Sequence, residues 1–492
     1  MKVPFKLLIK AVSQDMSWDM QGYIQNCDDT ERRQRAFVSC LKYSFLGKAF
    51  MKILFVSLGC DKNLVDSEMM LGMLQERGYS FTDDETEADI AVVNTCCFIG
   101  DAKEESINTL LELGELKKTG RLKCLVVAGC LAQRYREEIL SEIPEVDALV
   151  GTMAIDEITM AIDEALGGRG ICHYRDLDSA PPICSDRVVT TGGHYAYLKI
   201  AEGCDKRCTY CIIPKVRGGY RSIPIEELVA QTGKLAEGGV RELILVAQET
   251  TLYGVDLYGE KSLPRLLHRL AEINGIYWIR LLYCYPEEIT EELIETIAGE
   301  PKICHYLDIP IQHASDRVLK RMGRRTSKEE FRQWIGRLRE RIPDICLRTT
   351  LISGFPGETQ EDFEELYRFV NEMEFDRLGV FPYSQEEDTA AAEMPDQIED
   401  SVKESRRDEL MELQQAIAFE KAEEMVGRIL TVMVEGKAAD EDVYVTRTYR
   451  DAPDVDGYLF LNTTASLMTG DFVKVLVTGS NEYDLIGEIC HE

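Results

Sequence analysis

The sequence predicts an α/β chain in three parts: a doubly wound parallel sheet, an incomplete (β/α)6 barrel and a small five-stranded antiparallel β-barrel. Three observations carry this. Over 51–167, short apolar runs alternate with amphipathic helical stretches, the pattern of parallel strands joined by helices. Over 191–421 the alternation recurs on a larger scale, with six strand-like runs separated by charged helical segments. From 422 to 490 the period changes to five short β runs broken by Gly, Asp and Asn, which fits a small barrel of the oligonucleotide/oligosaccharide-binding kind.

The elements follow in order. Residues 1–50 show no helical or strand period and carry eight Lys and Arg against five Asp and Glu, whereas the remainder has a net charge of −34. Met51 reads as the start of the folded chain, with 1–50 as an unstructured extension or mis-assigned leader and a small regulatory segment as the alternative. The first sheet draws its strands from Ile53–Ser57, Ile90–Asn94 and Leu125–Ala128, and its helices from Leu64–Arg77, Lys103–Leu116 and Gln133–Ile143. Residues 168–190, with Pro181-Pro182, read as a linker. The barrel strands are Tyr195–Ala201, Glu242–Ala247, Trp278–Tyr283, Tyr306–Ile311, Leu347–Ile352 and Leu378–Pro382, followed by a charged connecting helix within 397–424. The terminal runs are Ile429–Val434, Asp442–Arg447, Tyr458–Asn462, Phe472–Val477 and Leu485–Ile489.

Composition narrows the function classes. No apolar run in the 492 residues approaches the ~18 residues of a membrane span. A net charge of −31 repels phosphate backbones and argues against nucleic acid as substrate. The terminal barrel is itself acidic, with five Lys and Arg against twelve Asp and Glu over 426–492. Sixteen cysteines in a long chain without a signal peptide, several at metal-ligand spacing, point to a reducing, cytoplasmic setting.

Two cysteine constellations carry the chemistry. Cys204-Asp205-Lys206-Arg207-Cys208-Thr209-Tyr210-Cys211 follows the first barrel strand, so it lies on a loop at the end where such barrels do chemistry. Three thiolates in eight residues wrap one iron–sulfur cluster and leave one iron open; the alternative is a zinc loop with its fourth ligand elsewhere. Cys60, Cys96 and Cys130 each follow a strand of the first sheet, and neighbouring C-terminal strand ends converge on one crevice. The alternative there is three ordinary core cysteines. Cys97 competes with Cys96, but only one of two successive side chains faces the crevice. The remaining cysteines, from Cys27 to Cys490, share no spacing and read as core or incidental.

These residues resemble the radical S-adenosylmethionine (SAM) methylthiotransferase family over about 51–490. Cys-x3-Cys-x2-Cys after the first barrel strand resembles the radical SAM core. The three-cysteine sheet ahead of it resembles the methylthiotransferase N-terminal domain, and the final barrel resembles a TRAM domain. Within the family, the strings Ser57–Glu68, Ala247–Gly254 and Arg447–Gly457 are most similar to the branch that modifies an aspartate of ribosomal protein S-12. The tRNA-modifying branch has Gly-Cys-Gln-Met-Asn where this chain has Gly59-Cys60-Asp61-Lys62-Asn63. Asp61 stands where proline is frequent, and Tyr210 where phenylalanine is. Both departures leave the cysteines intact.

The resemblance implies two 4Fe-4S clusters, one on Cys60, Cys96 and Cys130 and one on Cys204, Cys208 and Cys211. It implies that the second cluster cleaves SAM to a 5′-deoxyadenosyl radical, which takes a hydrogen from the aspartate β-carbon. The first cluster then holds the sulfur, and a second SAM gives the methyl group. Tyr210, Gln248, Glu249, Gln312, Ser315, Gly354 and Phe355 are the SAM contacts this implies, and His313 reads as a packing or hydrogen-bonding histidine rather than a ligand. The implied partners are ribosomal protein S-12, free or in the small subunit, a one-electron reductant such as flavodoxin or ferredoxin, and a sulfur donor. Asp451, Asp454 and Asp456, around Pro453, are expected to form an exposed turn that docks the basic ribosomal protein. The competing readings are a tRNA methylthiotransferase of the same family and a non-catalytic iron–sulfur electron carrier.

Overall fold

Near-continuous apolar runs need cover on both faces, and the first sheet provides it. The computed structural model describes residues 51–168, 170–183, 186–438 and 442–490, which fall into two units divided after Gly192. The expectation for 1–50, and Cys27, Cys40 and Cys184, lie outside the described residues.

In the first unit, β1 (Lys52–Ser57), β2 (Ser80–Phe81), β3 (Ile90–Thr95), β4 (Cys124–Gly129), β5 (Ala148–Val150) and β6 (Ile171–His173) form a parallel sheet in the order β2-β1-β3-β4-β5-β6. Every residue of β3 and β4 is buried, as expected of central strands sandwiched by helices. Those helices include α1 (Asp61–Glu76), α2 (Gly100–Lys118), α3 (Cys130–Tyr135) and α4 (Ile158–Leu166). The winding reverses between β1 and β3, and such a switch point opens a crevice beyond the C-terminal strand ends.

Two expectations are corrected here. The helix expected over Gln133–Ile143 is broken: α3 ends at Tyr135, Arg136 takes φ 45°, and a second short helix runs Glu137–Glu142. The expected linker 168–190 holds β6, and its end packs on α1. There the buried Glu68 carboxylate accepts from the Thr190 backbone N–H at 2.7 Å and from its hydroxyl at 2.9 Å. At Gly72 a Cβ would lie 2.1 Å from the Asp186 carbonyl oxygen, so glycine lets this segment approach. A polar, proline-bearing composition gave no sign of either feature.

In the second unit, β7 (Tyr195–Lys199), β8 (Glu242–Val246), β9 (Trp278–Leu281), β10 (Ile303–Asp308), β11 (Cys346–Ser353) and β12 (Arg377–Pro382) pair in parallel in chain order. β7 and β12 are the two edges, so the barrel is not closed. The intervening helices include α5 (Ile213–Arg217), α6 (Ile225–Glu237), α7 (Leu263–Ala271), α8 (Glu291–Gly299), α9 (Lys328–Arg341) and α10 (Gln360–Met373). Capping boxes start α9, through Ser327 and Glu330, and α10, through Thr359 and Asp362. The connecting helix is α11 (Asp400–Glu423).

The terminal barrel closes through β13 (Ile429–Lys437), β14 (Val443–Thr448), β15 (Leu459–Asn462), β16 (Phe472–Asn481) and β17 (Asp484–Ile489), in the order β13-β14-β15-β17-β16. It is not wholly antiparallel, because β15 and β17 pair in parallel. A closed ring of five strands cannot alternate direction throughout, so one parallel pair is unavoidable.

The turn expected to dock a partner instead plugs the N-terminal end of the larger barrel. Asp451 is buried, paired with Arg377, and accepts from the Thr448 hydroxyl at 2.7 Å. Asp456 accepts from the Tyr306 hydroxyl at 2.8 Å and from the Ala452 N–H at 2.9 Å. Asp454 is exposed and accepts from the Tyr195 hydroxyl at 3.3 Å. Two of the three aspartates are therefore internal. Acidity in the sequence read as a surface because their arginine and tyrosine partners lie 70 to 150 positions away. Reversing Asp451 and Asp456 to lysine is expected to lower the thermal midpoint of the chain, read by circular dichroism, because each change buries an unpaired charge. Among the described residues, no helix is long and apolar enough to cross a membrane.

Candidate active site

The second unit carries Cys204, Cys208 and Cys211 just past the C-terminal end of β7. The chain turns at Gly203, φ +79°, where a Cβ would lie 1.9 Å from the Gly219 carbonyl oxygen. The Cys204 N–H donates to the Gly218 carbonyl at 3.1 Å, Arg207 takes φ 53°, and the Cys211 N–H donates to the Cys208 carbonyl at 3.1 Å. Thr209 anchors the loop: its N–H donates to the Met322 carbonyl and its hydroxyl to the Arg321 carbonyl, both at 2.9 Å. The loop is thus held chiefly by Thr209 and by backbone bonds. Burial pushes the Cys204 and Cys211 thiols up to about 12, and the neighbouring cysteine sulfurs add to both rises.

Beneath the loop, the fully buried Glu202 accepts from Lys199 Nζ at 2.9 Å, Arg217 at 3.0 Å and Gln248 Nε2 at 2.7 Å. Burial opposes its charge, but Arg217 and Lys199 outweigh it and hold the carboxyl well below the usual range. Gln248 thereby spends its donor inside the protein, while its Oε1 is buried without a hydrogen bond. Next to it, Glu249 Oε2 lies 3.6 Å from Lys206 Nζ, also without a hydrogen bond. Burial raises the Glu249 carboxyl to about 7 against the pull of Lys206. Two orphaned acceptors at the end of β8 suit a ligand ammonium.

The other expected SAM residues divide. Gln312 takes φ 70° and bridges to β11, with its N–H donating to Thr350 O at 2.9 Å. The Ser315 hydroxyl donates to Asp362 at 2.6 Å and is committed there. His313 is buried, and its Nδ1 accepts from the Ser315 N–H at 2.9 Å, in keeping with a packing role. Beside Gly354, φ +69°, the space is filled by Lys403 of α11, whose Cγ would lie 2.3 Å from a Cβ. That glycine admits a helix rather than a ligand. Phe355 is buried, edge-on to Tyr210 with ring centroids 6.4 Å apart and to Tyr383 at 5.4 Å. All three rings belong to an apolar cluster with Val318 and Met322.

In the first unit, Cys60, Cys96 and Cys130 stand beyond β1, β3 and β4, at the switch-point crevice. Cys60 caps α1 and Cys130 opens α3. At Gly59, φ +92°, a Cβ would lie 2.9 Å from Cys96 Sγ, so the bare backbone brings the Cys60 turn against Cys96. Asn63 ties the three strand ends together. Its amide donates to the Leu58 and Thr95 carbonyls, both at 3.0 Å, and the Cys130 thiol lies 3.7 Å from its Oδ1. Cys97 is fully buried, and its carbonyl accepts from Arg134 at 3.2 Å.

Among the described residues, no three Cys, His, Asp or Glu side chains converge closely enough to hold a single metal ion. A mononuclear site needs every ligand on one atom, whereas a four-iron cluster takes its thiolates on different irons and accepts a wider triangle. Each constellation offers three free cysteine sulfurs, a donor set of the kind such clusters take. Sequence reasoning singled out the cysteines but missed Glu202, Asn63 and Tyr285, whose hydroxyl lies 3.0 Å from Cys208 Sγ. Their signal was position alone: each sits within a few residues of a strand end.

Comparison with known proteins divides the chain into the same three parts. Residues 52–151 match the uncharacterized protein family UPF0004, 198–370 the radical SAM superfamily, and 426–490 the TRAM domain. The chain is 64% identical over 437 residues to ribosomal protein uS12 methylthiotransferase RimO of Lachnoclostridium phytofermentans, covering 89% of this chain and 99% of that one. It is 50% identical to the RimO of Acetivibrio thermocellus and 49% to that of Clostridioides difficile, each over 90% of this chain and 99% of the relative. Among solved structures, the radical SAM methyltransferase TsrM of Kitasatospora setae shares the fold, with a TM-score of 0.51 at 14% identity over 68% of this chain and 72% of that one. With such identity along nearly the full length of its relatives, the chain belongs to the RimO family of methylthiotransferases, radical SAM enzymes that use SAM and a 4Fe-4S cluster.

Proposed function

We propose that this chain methylthiolates the β-carbon of an aspartate in ribosomal protein uS12, with one 4Fe-4S cluster on Cys204, Cys208 and Cys211 and a second on Cys60, Cys96 and Cys130. The observation that carries the reading is the pair of three-cysteine sets at C-terminal strand ends, on a chain this similar to the RimO relatives. When bound, the clusters and SAM supply the radical chemistry that no side chain performs on an unactivated C–H bond. The protein's share is positioning. The loop from Gly203 to Cys211 would hold the first of these clusters through its three thiols. Glu249 and Gln248 present acceptors to its ammonium, and the Glu202 network holds Gln248 in place. In the first unit, Cys60, Cys96 and Cys130 would hold the second cluster. A one-electron reductant such as flavodoxin or ferredoxin, and a sulfur donor, complete the reaction.

The acidic chain, −31 overall, supports a basic protein substrate over tRNA. Mass spectrometry of uS12 from cells with and without this gene is the test. The protein from cells with the gene should carry one methylthio group on an aspartate, and unmodified uS12 in both would overturn the reading.

Asn63 gives a local check on the first site. Asn63→Ala removes the group that bridges Leu58, Thr95 and Cys130. It is expected to weaken iron retention there about 10–100-fold, read as faster loss to a chelator, while SAM cleavage persists.

A further inference from the structure

The Tyr285 hydroxyl lies 3.0 Å from Cys208 Sγ. When Cys208 is a metal-bound thiolate, the sulfur has no proton to give, so the phenol must donate. We propose that Tyr285 is a positioning residue of the SAM-cleaving site, and that its O–H···S bond to Cys208 raises the reduction potential of the cluster held there. The proposal rests on the cluster assignment made above.

The geometry is built rather than incidental. Tyr285 is buried just past β9, and its N–H donates to the Thr251 hydroxyl at 3.0 Å. Two cations lie within cation–π reach of its ring: Arg324 Cζ at 4.1 Å and Lys206 Nζ at 4.8 Å from the centroid. Each is itself fixed. The buried Arg324 donates to the Pro310 carbonyl at 2.8 Å. Lys206 pairs with Glu288 and lies 3.6 Å from both Glu249 and Glu287. The ring therefore has little freedom to swing its hydroxyl off the sulfur.

The physical effect has a definite sign. Reduction adds an electron to a cluster that already carries thiolate charge. A hydrogen bond to a ligand sulfur withdraws density and favours the reduced form, which is one of the ways proteins set cluster potentials. Here the donor sits on the sulfur in the middle of the cysteine loop, and the reduced form is the one that must deliver an electron to SAM.

The test uses the full chain carrying Cys60→Ala, Cys96→Ala and Cys130→Ala, so that only the cluster on Cys204, Cys208 and Cys211 reports. Tyr285→Phe keeps the ring and both cation contacts but removes the hydroxyl. At a fixed ambient potential, followed by electron paramagnetic resonance, its ratio of reduced to oxidised cluster should fall about tenfold, ~59 mV for one electron. A ratio equal to that of the parent, at equal iron content, would overturn the proposal. If the phenylalanine variant does not load iron, site-specific 3-fluorotyrosine at 285 decides the matter. Its more acidic hydroxyl is the stronger donor and should raise the ratio, and no rise sinks the proposal. Failure of the parent to hold about four irons overturns the cluster assignment instead, and the iron count separates the two failures.

Discussion

Replacing Cys204, Cys208 and Cys211 together by alanine is expected to leave about four of about eight irons after anaerobic reconstitution and to abolish SAM cleavage. The fold should survive, because the loop is held by Thr209 and by backbone bonds from Cys204 and Cys211 rather than by sulfur. Replacing Cys60, Cys96 and Cys130 should also leave about four irons, yet SAM cleavage should continue while sulfur insertion stops. The asymmetry follows from division of labour: one set of thiols serves the radical step and the other the sulfur. Iron assay, SAM-cleavage chromatography and product mass spectrometry read the three quantities. Zinc in place of iron, or only about four irons in the unaltered chain, would sink the two-cluster reading.

What the sequence made readable was periodicity and spacing. Strand and helix order came through in both units because parallel strands buried on both faces are written as apolar runs, of which β3 and β4 are the clearest. The six cysteines stood out because metal chemistry demands a residue type at a strand end, and the structure places each of them just past one. Long-range charge pairing did not come through. Asp451 reads as surface until Arg377 is seen beside it, and Gly354 reads as a ligand cradle until Lys403 fills it. Glu68 likewise gave no local sign that it holds Thr190, a residue 122 positions away. Such contacts are decided by tertiary packing, and no local pattern carries them.

The same kind of pairing yields the largest expected stability effect. Glu242, at the start of β8, sits between two fully buried arginines: Arg280 of β9 at 2.7 Å and Arg447 of the terminal barrel at 2.6 Å. Arg280 also donates to the Tyr449 carbonyl at 2.6 Å, and Arg447 to the Asp451 carbonyl at 2.9 Å, so one carboxylate joins the two barrels. Burial works against the charge of Glu242, yet Arg447 and Arg280 hold its carboxyl below the usual range. Glu242→Ala strands the buried Arg280 guanidinium and leaves Arg447 with Glu435 alone, at 2.8 Å, and is expected to cost about 3–5 kcal/mol, read by denaturant unfolding. Replacing Glu242, Arg280 and Arg447 together by apolar residues of similar volume should recover most of that loss, since the three buried charges go together and Glu435 keeps His194 at 2.7 Å. The pH dependence has a fixed sign. A depressed carboxyl contributes stability above the unfolded value near ~4.3, and this contribution is lost as pH falls through the folded one. The thermal midpoint of the unaltered chain should therefore drop in acid more steeply than that of the triple apolar variant. Equal acid sensitivity in the two would mean that the Glu242 carboxylate does not hold the barrels together.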